Sequence, residues 1–241
     1  MLKILNFIIS LIFPRTCSLC GENISFKDNK NICDKCINTL PKLDGLVCHK
    51  CSLPLADGGA TCSDCKETKN IYFKVLKSPF VYTDKIRVLI KKLKYSQRPF
   101  LAKDLSKLMT DFIIKENIDK NIDIIVPVPI HWNKGLMRGY NQASLLADWI
   151  AKELNKTFYS NALIRTKYTK PQFKLKKQQR AENLENMFAI NKKYVDKIKH
   201  KNILLIDDIA TTCSTANQCS KVLKENKAKQ VIVVTLARAS Y

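Results

Sequence analysis

The chain has 241 residues, enough for one large domain or for a small domain joined to a medium one, and 46% of them are hydrophobic. That much apolar material excludes an intrinsically disordered protein. The formal net charge of +21 predicts a surface that attracts polyanions: nucleic acid, acidic lipid or a phosphorylated ligand. Most of the excess is Lys, so a drift in composition toward lysine is the alternative explanation.

The first thirteen residues are apolar, which raises the question of a signal peptide or a membrane anchor. The stretch is too short to span a bilayer, no small-residue cleavage site follows it, and Pro14 comes directly after it. We expect a short helix that packs on the segments behind it and no membrane span. A helix lying on a membrane surface is the alternative.

Eight of the ten cysteines fall in the first seventy residues as four Cys-x-x-Cys pairs: Cys17/Cys20, Cys33/Cys36, Cys48/Cys51 and Cys62/Cys65. Two such pairs complete a tetrahedral thiolate site, so four pairs predict two structural zinc ions. We assign the ligands in chain order, because each spacer then spans one short hairpin, and a cross-braced pairing stays open. An iron–sulfur cluster and a disulfide framework are the competing interpretations. Zinc thiolates and the two further cysteines, Cys213 and Cys219, favour a reducing cytoplasm.

The positive charge is concentrated behind the cysteine-rich segment, with a net +2 in residues 1–70 and +19 in residues 71–241. We therefore expect a double zinc-ribbon domain at 1–70 and a basic domain at 71–241. One acid-free segment of the latter carries seven cations: Arg165, Lys167, Lys170, Lys174, Lys176, Lys177 and Arg180. Such a segment could contact the phosphates of single-stranded DNA, or it could be a plain exposed loop.

The basic domain alternates helical and extended patterns. Apolar spacing predicts helices at Lys85–Tyr95, about Pro99–Lys115, Asn141–Leu154 and Thr215–Glu225, with a short one near Arg180–Glu185. Apolar runs predict strands at Phe73–Thr83, Ile122–Val128, Thr157–Ile164, Asn202–Ile206 and Gln230–Leu236. This alternation predicts an α/β domain with a mainly parallel sheet, in which ligands bind beyond the carboxyl ends of the strands.

The most informative stretch runs from the apolar residues Leu204-Leu205-Ile206 through Asp207-Asp208 into a hydroxyl-rich turn and a helix. Free N–H groups at a helix N-terminus make an anion site, to which the turn adds hydroxyl donors. The donors are Thr211, Thr212, Ser214 and Thr215, and carboxylates placed before them can accept hydrogen bonds from a sugar diol. The stretch therefore predicts a sugar-phosphate site, with ordinary capping of the turn and helix as the alternative.

This stretch closely resembles the phosphoribosyl-pyrophosphate motif of type I phosphoribosyltransferases. By that resemblance Asp207 and Asp208 hold the ribose hydroxyls, and Thr211–Thr215, including Cys213, surround the 5′-phosphate. Magnesium would arrive with a diphosphate ligand. Arg138, in the loop after the first core strand, is the candidate contact for the diphosphate, with a surface ion pair as its alternative role.

The whole chain is similar to the ComF family. The resemblance rests on the double zinc ribbon before Lys92-Leu93-Lys94-Tyr95, on Val126-Pro127-Val128-Pro129 before Arg138-Gly139-Tyr140-Asn141-Gln142, and on Arg165-Thr166 before Gln172, Leu175, Arg180 and Asn183. It implies a phosphoribosyltransferase-like domain behind the ribbons, in a cytoplasmic protein of natural transformation that handles incoming single-stranded DNA. One residue departs from the family pattern, because Cys213 stands where a glycine is usual, and this leaves transferase activity open.

Three functions are consistent with these features. The first is an accessory protein of transformation that binds single-stranded DNA and carries a pocket for phosphoribosyl pyrophosphate or a related sugar phosphate. The second is an active phosphoribosyltransferase acting on a nucleobase or amine. The third is a zinc-ribbon adaptor that recruits a helicase or the uptake machinery, with a vestigial pocket. The sequence does not decide which base would be accepted, which surface binds DNA or how many subunits assemble.

Overall fold

The computed structural model describes residues 15–25, 28–56, 59–95, 98–130, 135, 138–166 and 187–240. Its α-helices are α1 (Asp34–Asn38), α2 (Ser63–Glu67), α3 (Asp84–Tyr95), α4 (Leu101–Lys115), α5 (Gln142–Leu154), α6 (Val195–Ile198) and α7 (Ser214–Glu225). Short 3-10 turns cover Asp119–Asn121 and Lys192–Tyr194. The predicted helices at residues 1–13 and 180–185 lie outside the described residues.

The strands are β1 (Val75–Lys77), β2 (Phe80–Val81), β3 (Ile124–Pro127), β4 (Thr157–Phe158), β5 (Leu163–Arg165), β6 (Phe188–Ile190), β7 (Asn202–Ala210) and β8 (Gln230–Arg238). The main sheet has the order β1-β8-β7-β3-β4, and β2 also pairs with β8. All these pairings are parallel, whereas β5 and β6 form a separate antiparallel pair. The predicted α/β class with a mainly parallel sheet is therefore confirmed.

The central strands β7 and β8 are longer than the apolar pattern predicts. Their pairing continues past Ile206 through Asp207 opposite Thr235 to Ala210 opposite Arg238. The predicted strand 157–164 is instead divided between β4 in the main sheet and β5 in the small one, with a turn between them. The predicted strand 73–83 is likewise broken between β1 and β2, around Pro79, which has no N–H to donate to a sheet.

Two apolar layers cover the main sheet, as expected for a parallel sheet buried on both faces. Leu204 and Ile206 of β7 share one core with α3, α4 and α5, whereas Ile203 and Leu205 share the other with α7. The cysteine-rich segment contributes to the first core through four buried side chains: Cys17, Ile32, Cys36 and Leu40. This segment is thus packed against the α/β core, and the domain boundary expected near residue 70 stays a prediction.

Candidate functional site

The acidic pair lies inside β7, near its carboxyl end. Strict alternation of side chains breaks at this point, because Ile206 and Ile209 pack on one core whereas Leu205 and Ala210 pack on the other. Asp208 faces α3, where it contacts Lys94. The sequence prediction gave both carboxylates to the hydroxyls of one ribose, and this role stays a prediction. β7 extends past both acids, and their carboxyls stay close enough for a side-chain hydrogen bond between them.

Asp208 is buried, with 4% of its surface exposed, and it forms an ion pair with Lys94 at the end of α3. The Lys94 side chain is itself only 17% exposed, so little water screens the pair. Breaking such a pair would leave one charge buried without its partner, which is costly. Sequence analysis gave Lys94 no role in the site. A usable signal was present, since Lys94 stands four positions after the apolar Ile90 and therefore lies on the same stripe of the helix.

Asp207 has a different environment. Burial, and then the negative charge of Asp208, raise the pKa of the Asp207 carboxyl well above its usual range. Its Oδ1 atom accepts a hydrogen bond of 2.8 Å from the backbone N–H of Asp208. The raised pKa favours the protonated acid, and a cation bound beside this group would favour its ionised form. Asp208 already has a cationic partner in Lys94, so Asp207 is the acid that would gain more from a bound cation.

The turn after β7 begins α7 with its hydroxyl groups toward solvent. Thr211 and Thr212 are exposed, and the hydroxyls of Thr212 and Ser214 lie 2.9 Å apart. α7 spans twelve residues, so its first turn provides the free N–H groups and the positive dipole end that bind anions. The structure therefore brings the predicted phosphate residues together at one helix end, directly after the strand that carries Asp207.

Cys213 has the left-handed backbone conformation, with φ of 59° and ψ of 2°. A side chain costs on the order of 1 kcal/mol there relative to glycine. The Cys213 side chain packs against the cluster formed by Cys48, Cys51 and Cys62. That contact explains how the turn keeps the geometry of a glycine while carrying a side chain.

Arg138 contacts the ends of two helices, α3 and α5, through Tyr95 and Gln142. The Arg138 guanidinium donates to the Tyr95 hydroxyl at 2.9 Å and to Gln142 Oε1 at 3.1 Å, and it stacks 4.7 Å from the Tyr95 ring centroid. Because Tyr95 follows Lys94, both Arg138 and Asp208 are attached to the end of α3. Whether Arg138 contacts a diphosphate is not tested by these contacts and stays a prediction.

Most of the predicted DNA-binding cations lie outside the described residues: Lys167, Lys170, Lys174, Lys176, Lys177 and Arg180. Arg165 is described and ends β5, with its guanidinium 5.7 Å from the ring centroid of Phe188. Burial lowers the pKa of Arg165. Its side chain is thus partly turned into the fold.

A second group of aromatic and basic side chains was missed by sequence analysis. The rings of Tyr159 and Tyr194 lie 4.9 Å apart, and the Lys197 ammonium is 5.5 Å from each ring centroid. Lys192 and Lys193 are exposed on the adjoining turn. The two tyrosines are 35 positions apart in the chain, so only the fold brings them together. We name this group the tyrosine–lysine patch.

The eight paired cysteines form two groups in chain order, Cys17/Cys20/Cys33/Cys36 and Cys48/Cys51/Cys62/Cys65, called here the first and second tetrads. Within each tetrad all the sulfur atoms lie within 4.8 Å of one another. Measured Sγ–Sγ distances are 3.8 Å for Cys20 and Cys33 and 3.6 Å for Cys51 and Cys62. Four thiolates bound to one zinc at about 2.3 Å are separated by about 3.8 Å, so both tetrads fit the ion.

The local backbone prepares both tetrads for a cation in the same way. The N–H of Cys33 donates to Cys17 Sγ at 3.4 Å, and the N–H of Cys62 donates to Cys48 Sγ at 3.4 Å. Burial opposes ionisation at Cys17, but backbone donors, Cys33 foremost, lower its pKa to about 6. A hydrogen bond from Cys213 is the main cause that lowers the pKa of Cys51 to about 4. Burial raises the pKa of Cys36 and of Cys65 in the same tetrads, so one thiol of each tetrad ionises first, and thiolates are the form that binds zinc.

No helix among the described residues is both long and apolar enough to cross a bilayer. Together, the two tetrads and the parallel sheet define a protein with zinc ribbons joined to an α/β domain. Residues 8–66 match the family model described as "Double zinc ribbon domain". The chain therefore carries a double zinc ribbon, as predicted, and the tetrads are its metal sites.

Relatives with assigned names match nearly the whole chain. The DNA utilization protein YhgH of Escherichia coli K12 is 28% identical over 231 residues, covering 95% of this chain and 99% of the relative. Competence protein F of Haemophilus influenzae is 26% identical, covering 94% and 98%. Competence protein ComFC of Bacillus subtilis is 26% identical, covering 92% and 95%. These relatives confirm the ComF resemblance.

The comparison with solved structures finds phosphoribosyl enzymes among its matches. The glutamine phosphoribosylpyrophosphate amidotransferase of B. subtilis is 15% identical, with a TM-score of 0.41, and the match covers 60% of this chain and 30% of that one. A hypoxanthine phosphoribosyltransferase of Trypanosoma cruzi is 12% identical, with a TM-score of 0.34, and the match covers 58% and 65%.

Proposed function

We propose that this protein is a ComF-type accessory of natural transformation that handles incoming single-stranded DNA in the cytoplasm and carries a pocket for a phosphoribosyl-pyrophosphate-type ligand. Support for the DNA role comes from relatives named competence and DNA utilization proteins that match over their full length. Further support comes from the net charge of +21. A polyanion gains affinity from such a surface through counterion release.

One observation carries the pocket proposal: a hydroxyl-rich turn at a helix N-terminus directly follows a strand that holds a carboxylate at the carboxyl edge of a parallel sheet. In this pocket Thr211–Thr215 bind the phosphate through N–H and hydroxyl groups. Asp207 accepts a hydrogen bond from a ribose hydroxyl or binds the magnesium that accompanies a diphosphate. Asp208 positions the end of α3 through Lys94.

Binding of DNA is assigned to two surfaces. The cationic segment Arg165–Arg180 supplies sequence-independent attraction to phosphates. The tyrosine–lysine patch adds aromatic faces on which bases can stack, which is the usual way that single strands are distinguished from duplexes. The patch also places Lys197, Lys192 and Lys193 beside those rings, where the DNA backbone would pass.

The decisive experiment is a parallel titration of the zinc-loaded protein with single-stranded DNA and with phosphoribosyl pyrophosphate plus magnesium. We expect both to bind, with DNA affinity falling steeply as salt rises. DNA binding that ignores salt would refute the electrostatic mechanism. Absence of any calorimetric signal with phosphoribosyl pyrophosphate would refute the pocket assignment. Release of pyrophosphate on adding bases or amines would instead favour an active transferase.

Variants locate each surface. Replacing Lys174, Lys176 and Lys177 with Glu is expected to lower DNA affinity and to leave phosphoribosyl pyrophosphate binding unchanged. Tyr194→Ala is expected to weaken the binding of single-stranded DNA by about 1–3 kcal/mol and the binding of duplex DNA much less. Equal losses for single strands and duplexes would remove the tyrosine–lysine patch from the DNA path.

Asp207 and Asp208 need different substitutions, because they have different partners. Asp207→Asn is expected to abolish phosphoribosyl pyrophosphate binding while the fold stays intact. Asp208→Asn alone would leave the buried charge of Lys94 without its partner. The matched variant therefore combines Asp208→Asn with Lys94→Met. Binding that survives in Asp207→Asn would contradict the role given to this carboxylate.

The adaptor function is supported by a different feature, the double zinc ribbon itself. An adaptor would present ribbon surfaces to a helicase or uptake protein and would not need the pocket. Pull-down of a partner by the Asp207→Asn variant, with DNA and ligand binding both absent from the native protein, would favour this function.

A further inference from the structure

Arg238, near the end of β8, connects the second tetrad to the turn that precedes α7. Arg238 is only 1% exposed, so its guanidinium lies inside the protein. The Nε atom donates to the Cys51 backbone oxygen at 2.9 Å, and an amino group lies 3.7 Å from Cys51 Sγ. The other amino group donates to the Ala210 oxygen at 3.1 Å and to the Thr211 oxygen. One planar cation thus connects a metal ligand to the turn of residues 210–214, called here the phosphate turn after its proposed ligand.

Cys213 makes a second connection between the same two parts. Its left-handed conformation turns its side chain into the group of Cys48, Cys51 and Cys62. The cleft between the ribbon and the turn is lined from both sides, by Cys65 and Asp64 on one and by Thr212 and Ser214 on the other. The phosphate turn therefore has the second ribbon as its direct neighbour.

Charge explains why a buried arginine is suited to this position. Four thiolates and one zinc ion carry a net charge of about −2, and the Arg238 cation beside Cys51 offsets part of it. Without that negative charge only the dipoles of carbonyl groups would offset the charge of the buried guanidinium. The metal-loaded tetrad and the position of Arg238 therefore stabilise each other.

We propose that Arg238 and Cys213 couple the second tetrad to the phosphate turn, so that metal in this tetrad sets the conformation of residues 210–214. The first tetrad has no such effect, because its contacts run to α3 and α4: Lys92 donates to the Ser18 oxygen, and Asp104 accepts from the Asn31 N–H. Such coupling is reciprocal, so a ligand on the turn also strengthens metal retention by the second tetrad. This last part rests on the proposed function, whereas the effect of metal on the turn does not.

The first test compares two variants that each remove one metal ligand, Cys65→Ser in the second tetrad and Cys20→Ser in the first. Metal content is measured by mass spectrometry under native conditions, and amide hydrogen exchange is measured for residues 208–216. We expect Cys65→Ser to speed exchange in the turn by roughly tenfold or more, and Cys20→Ser to change it by less than about twofold. Equal changes in the two variants would overturn the proposal.

The second test keeps the metal and removes the connection. Arg238→Lys retains a positive charge but cannot donate to both sides as the guanidinium does. We expect this variant to bind two zinc ions per chain and yet to show faster exchange in the turn. If it fails to fold, Cys213→Ser serves instead, with the alkylation rate of the remaining cysteines as a check on metal retention. Native exchange rates in both variants would refute the coupling.

The third test uses the native protein and a chromogenic chelator. Addition of phosphoribosyl pyrophosphate with magnesium is expected to slow the release of one of the two zinc ions about tenfold and to leave the other unchanged. If the compound binds without changing zinc release, the reciprocal part of the proposal is wrong. If it does not bind at all, the pocket assignment fails, and the exchange experiments still decide whether the second tetrad sets the turn.

Discussion

The two zinc ribbons have the same local structure, but the first packs on an apolar core and the second makes mainly polar contacts. In each ribbon, the backbone N–H four residues after the first cysteine donates a hydrogen bond to the carbonyl oxygen of that cysteine. The N–H of Gly21 donates to Cys17 at 3.0 Å, and the N–H of Ser52 donates to Cys48 at 2.8 Å. Each ribbon also has a short helix that begins after its third cysteine, α1 in the first and α2 in the second. The repeated motif therefore fixes the metal site in the same way twice.

What differs is how each ribbon is held. The first ribbon buries Ile32, Cys36 and Leu40 in the core that α3 and α4 share. The second makes mainly polar contacts: the Ser52 hydroxyl donates to the Leu76 oxygen at 2.8 Å, the Leu76 N–H donates to the Lys50 oxygen at 2.9 Å, and Arg238 reaches Cys51. One motif thus serves stability where its surface is apolar, and local geometry where its surface is polar.

The strongest way to break this comparison is to remove both ribbons. Deleting residues 1–70 would expose the core surface covered by Ile32, Cys36 and Leu40 and leave Arg238 without Cys51. Burial of three such side chains contributes roughly 5–9 kcal/mol, close to the whole stability of a typical domain. We expect residues 71–241 to lack a cooperative thermal transition in circular dichroism. A fragment that unfolds sharply at the midpoint of the full chain would show that the ribbons are a separate unit.

A matched pair of Leu→Ala substitutions separates the two kinds of packing. Leu40 in the first ribbon is 4% exposed within the main core, whereas Leu55 in the second is only partly buried. Leu40→Ala is expected to lower the free energy of unfolding by about 2–5 kcal/mol and Leu55→Ala by less than about 2 kcal/mol, as measured by urea denaturation. The reverse order would mean that the second ribbon carries the stability.

The polar anchors should differ by a smaller amount. Asp104→Ala removes the acceptor 2.6 Å from the Asn31 N–H and is expected to lower the free energy of unfolding by about 1–3 kcal/mol, while Ser52→Ala should lower it by about 1 kcal/mol.

The stability that Asp104 contributes should depend on pH. Burial raises the pKa of Asp104, so the folded chain keeps the carboxyl proton of Asp104 at a pH at which the unfolded chain has lost it. This contribution to stability is therefore lost as the pH rises through that interval. Asp104→Asn should remove that pH dependence, and an unchanged profile would contradict the assignment.

The smallest expected effect is at Cys213. Cys213→Gly relieves the left-handed strain and loses the contact with the second tetrad, so the two terms nearly cancel and stability should change by less than about 1 kcal/mol. Cys213→Ala keeps the strain and loses the sulfur contact, and it should be the less stable of the two. Thermal unfolding of both variants with two zinc ions bound measures the difference. A more stable alanine variant would show that the turn does not need the left-handed conformation.

Much of the fold follows from local pattern in the sequence. Apolar spacing predicts α3 and α7 to within one residue at their first positions, because each helix buries one stripe. The tetrads follow from the spacing of Cys-x-x-Cys pairs, since a knuckle presents two sulfur atoms to one ion whatever surrounds it. These features depend on neighbours in the chain, which a sequence displays directly.

The features that sequence analysis missed depend on contacts between distant residues. Arg238 resembles an ordinary cation near a chain end, yet its partner Cys51 is 187 positions away. The polar residues Asp207 and Asp208 end the apolar run, so the sequence predicts that the strand ends at Ile206. In the structure β7 continues to Ala210, because it pairs with β8 and because Lys94 forms an ion pair with Asp208. The tyrosine–lysine patch likewise needs two separate turns to meet. Each of these is a property of packing, which local periodicity does not record.

The exposure of Cys20 has a chemical consequence. Three of the four sulfur ligands in the second tetrad are buried, and an arginine neighbours one of them, whereas Cys20 of the first tetrad is open to solvent. Oxidants and electrophiles attack accessible thiolates first, so oxidation to sulfenic acid should begin at Cys20 and displace the first metal ion before the second. Oxidative damage to this protein would therefore loosen its core while the phosphate turn was still correctly shaped.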